Sequence, residues 1–184
     1  MIVLGIDPGI ALTGYGIVEG KGHGLSAVAY GCIRTKPGIT HSRRLMEIFR
    51  SVSDLIIRYK PDAVAIEELF FNKNARTALK VGESRGVVIL AAITQGVKLV
   101  EYTPLEVKQA IAGYGRATKG QVQGMVKMLL HLDEIPSPDD TADALACAIC
   151  HINSEGPLRY LVQGPEVVTP GHRMVPAGRG EIVR

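Results

Sequence analysis

The stretch that decides the fold is residues 1–19, MIVLGIDPGIALTGYGIVE. Residues 2–6 form a short apolar run rich in branched side chains, which is typical of a central strand covered on both faces. The run ends in Asp7, and Pro8-Gly9 then turns the chain. A second apolar run over residues 14–18 is close enough to pair with the first as a hairpin. The stretch predicts two neighbouring strands, with a carboxylate where the first one ends.

Asp7 has two interpretations. A charge at the end of a buried strand is costly unless a partner compensates it, which favours a binding role for this carboxylate. Asp is also common before a Pro-Gly turn, where its side chain caps the turn. A purely structural role for Asp7 is therefore the alternative.

The composition is that of an ordinary globular protein. The chain has 184 residues, enough for one domain with a full core, with 46% hydrophobic and 21% charged residues. The net charge is only +3, so a phosphate-rich partner is permitted and any basic surface must be local. No apolar run has the length of a membrane span, so we expect a cytosolic protein with no membrane partner.

Three cysteines, an odd number, argue against a disulfide framework. Cys147 and Cys150 form a C-x-x-C, but it lies within the apolar run ALACAIC. A redox or zinc site needs an accessible thiol or two further ligands. The sequence favours core packing for both cysteines.

The order of predicted elements is three strands, helix, strand, helix, strand and then helices. Three strands joined by short turns suggest an antiparallel meander. The whole order predicts an α/β fold, a mixed five-stranded sheet flanked by helices. Beyond the first hairpin we predict strands over residues 25–33, 63–66 and 98–102. We predict helices over residues 74–95, from Thr40 to about Tyr59, from Thr103-Pro104, from Thr118, and from about Asp140 to Asn153.

The character of the sequence changes near its end. Prolines and scattered arginines occur after residue 156 without a sustained hydrophobic period. We predict one folded domain over residues 1–156 and a flexible, weakly basic tail over residues 157–184.

Four acids stand out by their placement. Asp7 and Glu67 each end a buried strand, while Asp140 and Asp143 are three residues apart on one face of an alanine-rich helix. If the two strands are neighbours, the four carboxylates come together, and their repulsion favours a bound cation. Such oxygen ligands suit Mg²⁺ or Mn²⁺, and two ions there could hydrolyse a phosphodiester. Helix capping by Asp139-Asp140 and a surface position for Asp143 are the alternatives.

Several motifs also carry a family resemblance. The runs GIDPG…TGYG, GCIRTK, AIEELFFNKNARTALK, EYTPLEVKQAIAGYGRATKGQVQ and ADALA resemble, in order and spacing, RuvC-type Holliday junction resolvases. The resemblance covers residues 1 to about 151. It implies a ribonuclease H-like fold and a homodimer that nicks two opposing strands of a four-way DNA junction with Mg²⁺. It further implies a role in recombination and DNA repair beside a branch-migration motor.

The resemblance places the four catalytic, metal-binding acids on Asp7, Glu67, Asp140 and Asp143. Two registers stay open, because Glu68 follows Glu67 directly and Asp139 precedes Asp140. It places a catalytic lysine on Lys119. The residues expected to contact DNA are Phe70, Lys73, Arg76, Lys108, Arg116 and Lys119.

Phe70 matches the aromatic residue that stacks on a base in the family. Stacking on an opened base is worth ~1–3 kcal/mol. Phe71 is a second aromatic at the same place, so the stacking residue is either one. Burial in the core is the alternative for both. Likewise, a solvated surface lysine is the alternative for Lys108 and Lys119.

Two other functions are alternatives. An actin-like or sugar-kinase ATPase also has a glycine turn after an acid-ended strand, but it needs two similar domains, which 184 residues do not supply. A junction-binding scaffold without catalysis is expected to lack one or more of the acids, and all four are present. The sequence therefore favours a Mg²⁺-dependent nuclease with two ions in each site.

Overall fold

A computed structural model describes residues 1–22, 24–68 and 75–155, with the side chains of residues 75–77 left out. The predictions for Phe70, Phe71, Lys73, the Arg76 side chain and the tail over residues 157–184 lie outside the described residues.

The sheet has five strands, in the order β3-β2-β1-β4-β5. Strands β1, β2 and β3 form an antiparallel meander, whereas β4 runs parallel to β1 and β5 runs parallel to β4. The predicted mixed sheet is confirmed, and the strands that end in Asp7 and Glu67 are neighbours. The strands are β1 (Ile2–Asp7), β2 (Leu12–Lys21), β3 (Gly24–Arg34), β4 (Ala63–Glu67) and β5 (Lys98–Tyr102).

Five helices cover the sheet within the described residues: α1 (His41–Tyr59), α2 (Ala75–Thr94), α3 (Pro104–Ala112), α4 (Lys119–Leu129) and α5 (Asp139–Glu155). Thr103 and Thr118 begin α3 and α4 with reciprocal capping boxes, which fixes where both helices start. Thr40 occupies the predicted N-cap position of α1, but its side chain makes no capping hydrogen bond.

The helices form two layers around the central strands. Helices α1 and α2 pack on one face of the sheet, in a core with Leu4, Ile6 and Ile17. Helices α3, α4 and α5 pack on the other face, in a core with Val3, Val18 and Ala65. Because β1 and β4 are covered on both faces, their buried residues are apolar along nearly the whole strand.

Helix α5 lies unusually close to the sheet. A side chain on Gly5 would collide with the Ala144 carbonyl, and one on Gly16 would lie 2.6 Å from Leu145 Cδ2. The alanines of α5 are buried, so backbone meets backbone across this contact. Close packing of this kind sets the height of α5 above the strand ends.

Helix α2 leaves part of its surface uncovered. Its buried side is formed by Ser84, Val88 and Ala91, which are all 0% exposed. The small residues Ala78, Gly82 and Gly86 are spaced four apart, a pattern that permits close packing, and they lie elsewhere on the helix. Among the described residues, no atom comes within 4 Å of a Cβ built on Gly86.

Cys147 and Cys150 are buried at 2% and 1% exposure as free thiols, which confirms their prediction as core residues. Within the described ranges, none of the helices is both long enough and apolar enough to span a membrane.

Candidate active site

The topology places the acids on one rim of the sheet. Strands β1 and β4 are parallel neighbours, so Asp7 and Glu67 emerge at the same edge. Helix α5 begins above this edge, since a Cβ on Gly14 would lie 3.0 Å from Asp140 Cβ. Asp7 is paired with Gly14 across the β1–β2 ladder. The rim therefore collects carboxylates that are far apart in sequence.

Asp7 shows the strongest electrostatic consequence of this gathering. Burial raises the pKa of its carboxyl from 3.8 to about 7, with further upward contributions from Asp143, Asp140 and Glu67. The positive charge of Lys119 opposes these effects and lowers the pKa of Asp7. A group that is half ionised near neutral pH is poised to lose its proton when a cation arrives.

The pKa values of Glu67 and Asp143 are also raised. Burial and then the Asp143 charge raise the pKa of Glu67, while Lys108 and Lys119 lower it. Burial likewise raises the pKa of Asp143, against the opposing effect of its hydrogen bond with Lys119. These carboxylates are partly withdrawn from water and face one another, which is an arrangement that favours a divalent cation.

The two pairs of alternative site residues, Glu67 or Glu68 and Asp140 or Asp139, differ in their surroundings. The charge of Asp140 acts on Asp7, whereas Asp139 turns to Lys119 and to Gln123, whose Nε2 donates to Asp139 Oδ1 at 3.0 Å. Glu67 is half-buried within β4, while Glu68 is exposed after it. The surroundings favour Glu67 and Asp140 as the site residues.

Lys119 lies directly beside the acids. Its Nζ is 3.1 Å from Asp143 Oδ2 and 3.2 Å from Asp139 Oδ2. Burial lowers the pKa of Lys119, but the hydrogen bonds to Asp143 and Asp139 outweigh that effect and raise it. The first residue of α4 therefore supplies a fixed positive charge at the rim.

A pocket opens next to this lysine. It has a volume of about 240 Å³, room for several water molecules at ~30 Å³ each. Lys108 of α3, which the sequence resemblance implies as a DNA contact, lies in the wall of this pocket. Its charge lowers the pKa of Glu67. Arg116 is exposed on the loop between α3 and α4. The lining residues are Glu67, Pro104, Val107, Lys108, Lys119, Val122, Asp143, Ala146 and Cys147.

The rim is not a closed metal cage. Among the described residues, no three His, Cys, Asp or Glu side chains are grouped closely enough to hold an ion. The donor chemistry nevertheless fits Mg²⁺ or Mn²⁺, since the rim offers carboxylate oxygens and no imidazole. The physical reason for the open arrangement is that carboxylates repel one another, while Lys119 binds Asp143 from the side.

Three contributors were missed from the sequence. The sequence offers Asp139 only as a helix cap or as the alternative to Asp140, yet in the structure it binds Lys119 and Gln123. The four-residue spacing from Lys119 to Gln123 on one helix face was a usable indication of this cluster. Cys147 lines the pocket, but burial raises the pKa of its thiol well above the usual range, so it stays protonated.

Comparison with solved structures identifies the class. The chain superposes on the structure of Thermus thermophilus RuvC with a TM-score of 0.77 at 41% identity, covering 84% of this chain and 95% of the other. A RuvC of the same organism in complex with a Holliday junction substrate gives 0.77 at 37%, covering 84% and 94%. The yeast mitochondrial Holliday junction resolvase, at 15% identity and 0.61, shares the fold. The fold is that of ribonuclease H-like nucleases, as predicted.

Sequence comparison specifies the family. The family model described as crossover junction endodeoxyribonuclease RuvC matches residues 3–151. Proteins of that name from Caldanaerobacter subterraneus and Desulforamulus reducens are 57% and 56% identical, over 89% and 82% of this chain and 99% and 93% of theirs. The chain belongs to the RuvC family of crossover junction endodeoxyribonucleases. It is thus a nuclease, which confirms the resemblance seen in the sequence.

Proposed function

We propose that this protein resolves four-way DNA junctions by paired, symmetric nicks, in homologous recombination and DNA repair. The observation that carries the proposal is the gathering of four carboxylates with Lys119 on one rim of the sheet. Family membership supplies the reaction, and the rim supplies groups that suit phosphodiester hydrolysis.

Asp7, Glu67, Asp140 and Asp143 are the residues that would hold the metal, which we propose to be two Mg²⁺ ions in each site. Bound ions of this kind activate a water and stabilise the leaving oxygen of a phosphodiester. The raised pKa values of Asp7 and Asp143 support the assignment, because a cation would relieve both burial and repulsion.

Lys119 is proposed to act on the scissile phosphate. It enters the site from the start of α4, and its ammonium already neutralises part of the acidic charge at the rim. A positive charge fixed there would stabilise negative charge that develops on the phosphate during cleavage.

The DNA path is proposed to follow basic and aromatic side chains around the rim. Lys108 lines the pocket and Arg116 is exposed on the loop that leads to Lys119, which suits contacts to the phosphate backbone. Phe70, Lys73 and Arg76 are added to the proposed DNA-binding set on the basis of the sequence resemblance alone. Phe71 stays the alternative to Phe70 for stacking on an opened base.

A homodimer is the proposed working form. Helix α2 exposes Leu79, Leu90 and Ile93 at 69%, 53% and 61%, together with the open surface at Gly86. Small and apolar residues on one helix suit close packing against a second copy. A two-fold dimer would present two equal sites to the two symmetry-related strands of a junction.

A branch-migration motor is the further partner that we propose, since a resolvase acts where a junction is moved along DNA. We place the protein in the cytoplasm, where three free cysteines stay reduced.

The decisive experiment is a nicking assay on a synthetic four-way junction whose branch point can migrate, with and without Mg²⁺. Symmetric nicks in opposing strands that require Mg²⁺ are expected, while a matched linear duplex stays intact. Binding without nicking would indicate a scaffold instead. Absence of junction binding at low salt would overturn the proposal.

A further inference from the structure

A basic segment lies on the same rim, apart from the pocket that holds Lys108 and Lys119. The chain has no Asp or Glu between Glu19 and Glu47. Residues 33–46 alone contain four lysines and arginines, although the whole protein has a net charge of only +3. The four are Arg34, Lys36, Arg43 and Arg44.

Tertiary contacts hold this segment next to the catalytic acids. Arg44 Nε donates to Thr35 Oγ1 at 2.7 Å, and Thr35 Oγ1 donates to the Ile10 carbonyl at 2.6 Å. Ile10 belongs to the turn that follows Asp7. The end of β3 and the first turn of α1 are therefore tied, through Thr35, to the loop that carries the first acid.

The charges of this segment point to solvent. Thr35 is 6% exposed, whereas Arg34 and Lys36 on either side of it are exposed, as is Arg43. Within the part of the chain that the structure describes, none of these three cations has a carboxylate oxygen within 4 Å. Arg43 also lies at the start of α1, where the helix dipole disfavours positive charge by ~0.3–1 kcal/mol.

We propose that Arg34, Lys36 and Arg43 form a second phosphate-binding surface, here called the β3–α1 surface. The inference rests on the proposed function and adds where a junction arm is held. The pocket with Lys108 lies on the side of α3, α4 and α5, whereas the β3–α1 surface lies at the β3 edge and the opposite helical layer. Two basic surfaces thus flank the acids, and the backbone of an arm contacts both.

The test compares two double variants that lose the same net charge. Lys36→Gln/Arg43→Gln removes two cations of the β3–α1 surface. Lys21→Gln/Arg50→Gln is the control, because Lys21 ends β2 at the opposite rim and Arg50 lies about two turns beyond Arg43 along α1. Thermal melts establish that both variants fold. Binding of a four-way junction is then measured against salt, with the parent protein beside them.

We expect the junction affinity of the surface variant to depend less steeply on salt than that of the parent protein, and the control to change little. Each lost phosphate contact lowers the slope of log affinity against log salt by ~0.9, so the surface variant should lose ~1.8 and the control little. Equal slopes for the two variants would overturn the inference while leaving junction resolution intact. If the parent itself fails to bind or cut junctions, the proposed function is what fails.

Discussion

The backbone of Asp140 rests directly on Gly14. A Cβ at Gly14 would overlap the carbonyl of Asp140 and lie 3.0 Å from its Cβ. Gly14 is also the cross-strand partner of Asp7. A residue without a side chain thus sets the separation between an acid of β1 and an acid of α5, although it has no functional group of its own.

Gly14→Ala should lower both stability and cleavage. The added methyl group must displace α5 at Asp140, and overpacking of this kind costs ~1–3 kcal/mol. Denaturant unfolding and single-turnover nicking measure the two effects. Gly124→Ala is the matched control, since no described atom lies within 4 Å of its Cβ position on α4 and alanine favours a helix. Equal nicking rates for the two variants would contradict a spacing role for Gly14.

Asp7→Asn should abolish cleavage, keep junction binding and stabilise the metal-free protein. The folded pKa of about 7 exceeds the ordinary 3.8, so ionisation of Asp7 opposes folding increasingly as pH rises between those values. At pH 8 the amide should add ~2–4 kcal/mol to the free energy of unfolding, on ~1.36 kcal/mol per pKa unit.

The same variant tests the metal site through melting temperature. Mg²⁺ should raise the melting temperature of the parent protein and have a smaller effect on Asp7→Asn, because ligand binding stabilises the folded state. Cleavage by Asp7→Asn within a few-fold of the parent would remove Asp7 from the proposed ligand set.

Lys119→Ala should slow cleavage far more than it weakens junction binding. Its ammonium lies 3.1 Å from Asp143, within the acid cluster, so its loss removes positive charge where the phosphate reacts. Single-turnover nicking at saturating protein isolates this rate from affinity. Lys127→Ala, on the same helix, is the control. An unchanged rate at saturation, with weaker binding at raised salt, would reduce Lys119 to a backbone contact.

His151 should make stability fall in mild acid. This residue of α5 is 1% exposed, and its Nδ1 lies 2.7 Å from the hydroxyl of Tyr102, which ends β5. Burial lowers the pKa of His151 below 6.5, so the unfolded chain binds more protons than the folded one below that pH. Its contribution to stability is complete above pH 6.5 and declines as the pH falls.

The His151 effect is isolated by comparison with His151→Gln. Urea unfolding at pH 8 and pH 5 gives the change in the free energy of unfolding for each protein. Asp7 stabilises both proteins equally as the pH falls, so the change should be less favourable in the parent protein than in the variant by the contribution of His151. Parallel pH dependences would show that His151 does not titrate with folding.

Gly86→Arg should convert the proposed dimer to monomer. The position lies in open space on α2 among the described residues, so the fold should tolerate the side chain while a second copy could not. Sedimentation measures the mass in solution. Gly124→Arg, at an equally open helical glycine, is the control and should leave the dimer intact. A dimeric Gly86→Arg would move the interface away from this face of α2.

Sequence patterns predicted most of the fold because the local rules agreed with one another. Branched apolar runs predicted β1 and β4, and apolar residues three and four positions apart, from Leu45 to Tyr59, predicted α1. The first residues of α3 and α4 were predictable because Thr103 and Thr118 cap the N-termini of these helices locally. The spacing of Ala78, Gly82 and Gly86 showed that another element could pack closely, but it could not show that the described residues leave Gly86 open.

The sequence by itself determined which acids end buried strands and which share a face of α5, because both depend on short-range periodicity. Only the tertiary structure decided that Asp139 holds Lys119 while Asp140 acts on Asp7. Neighbouring aspartates point in different directions on a helix, so their partners depend on how α4 and α5 pack. The same holds for the β3–α1 surface, whose charges are brought to the rim by Thr35 binding both Arg44 and Ile10.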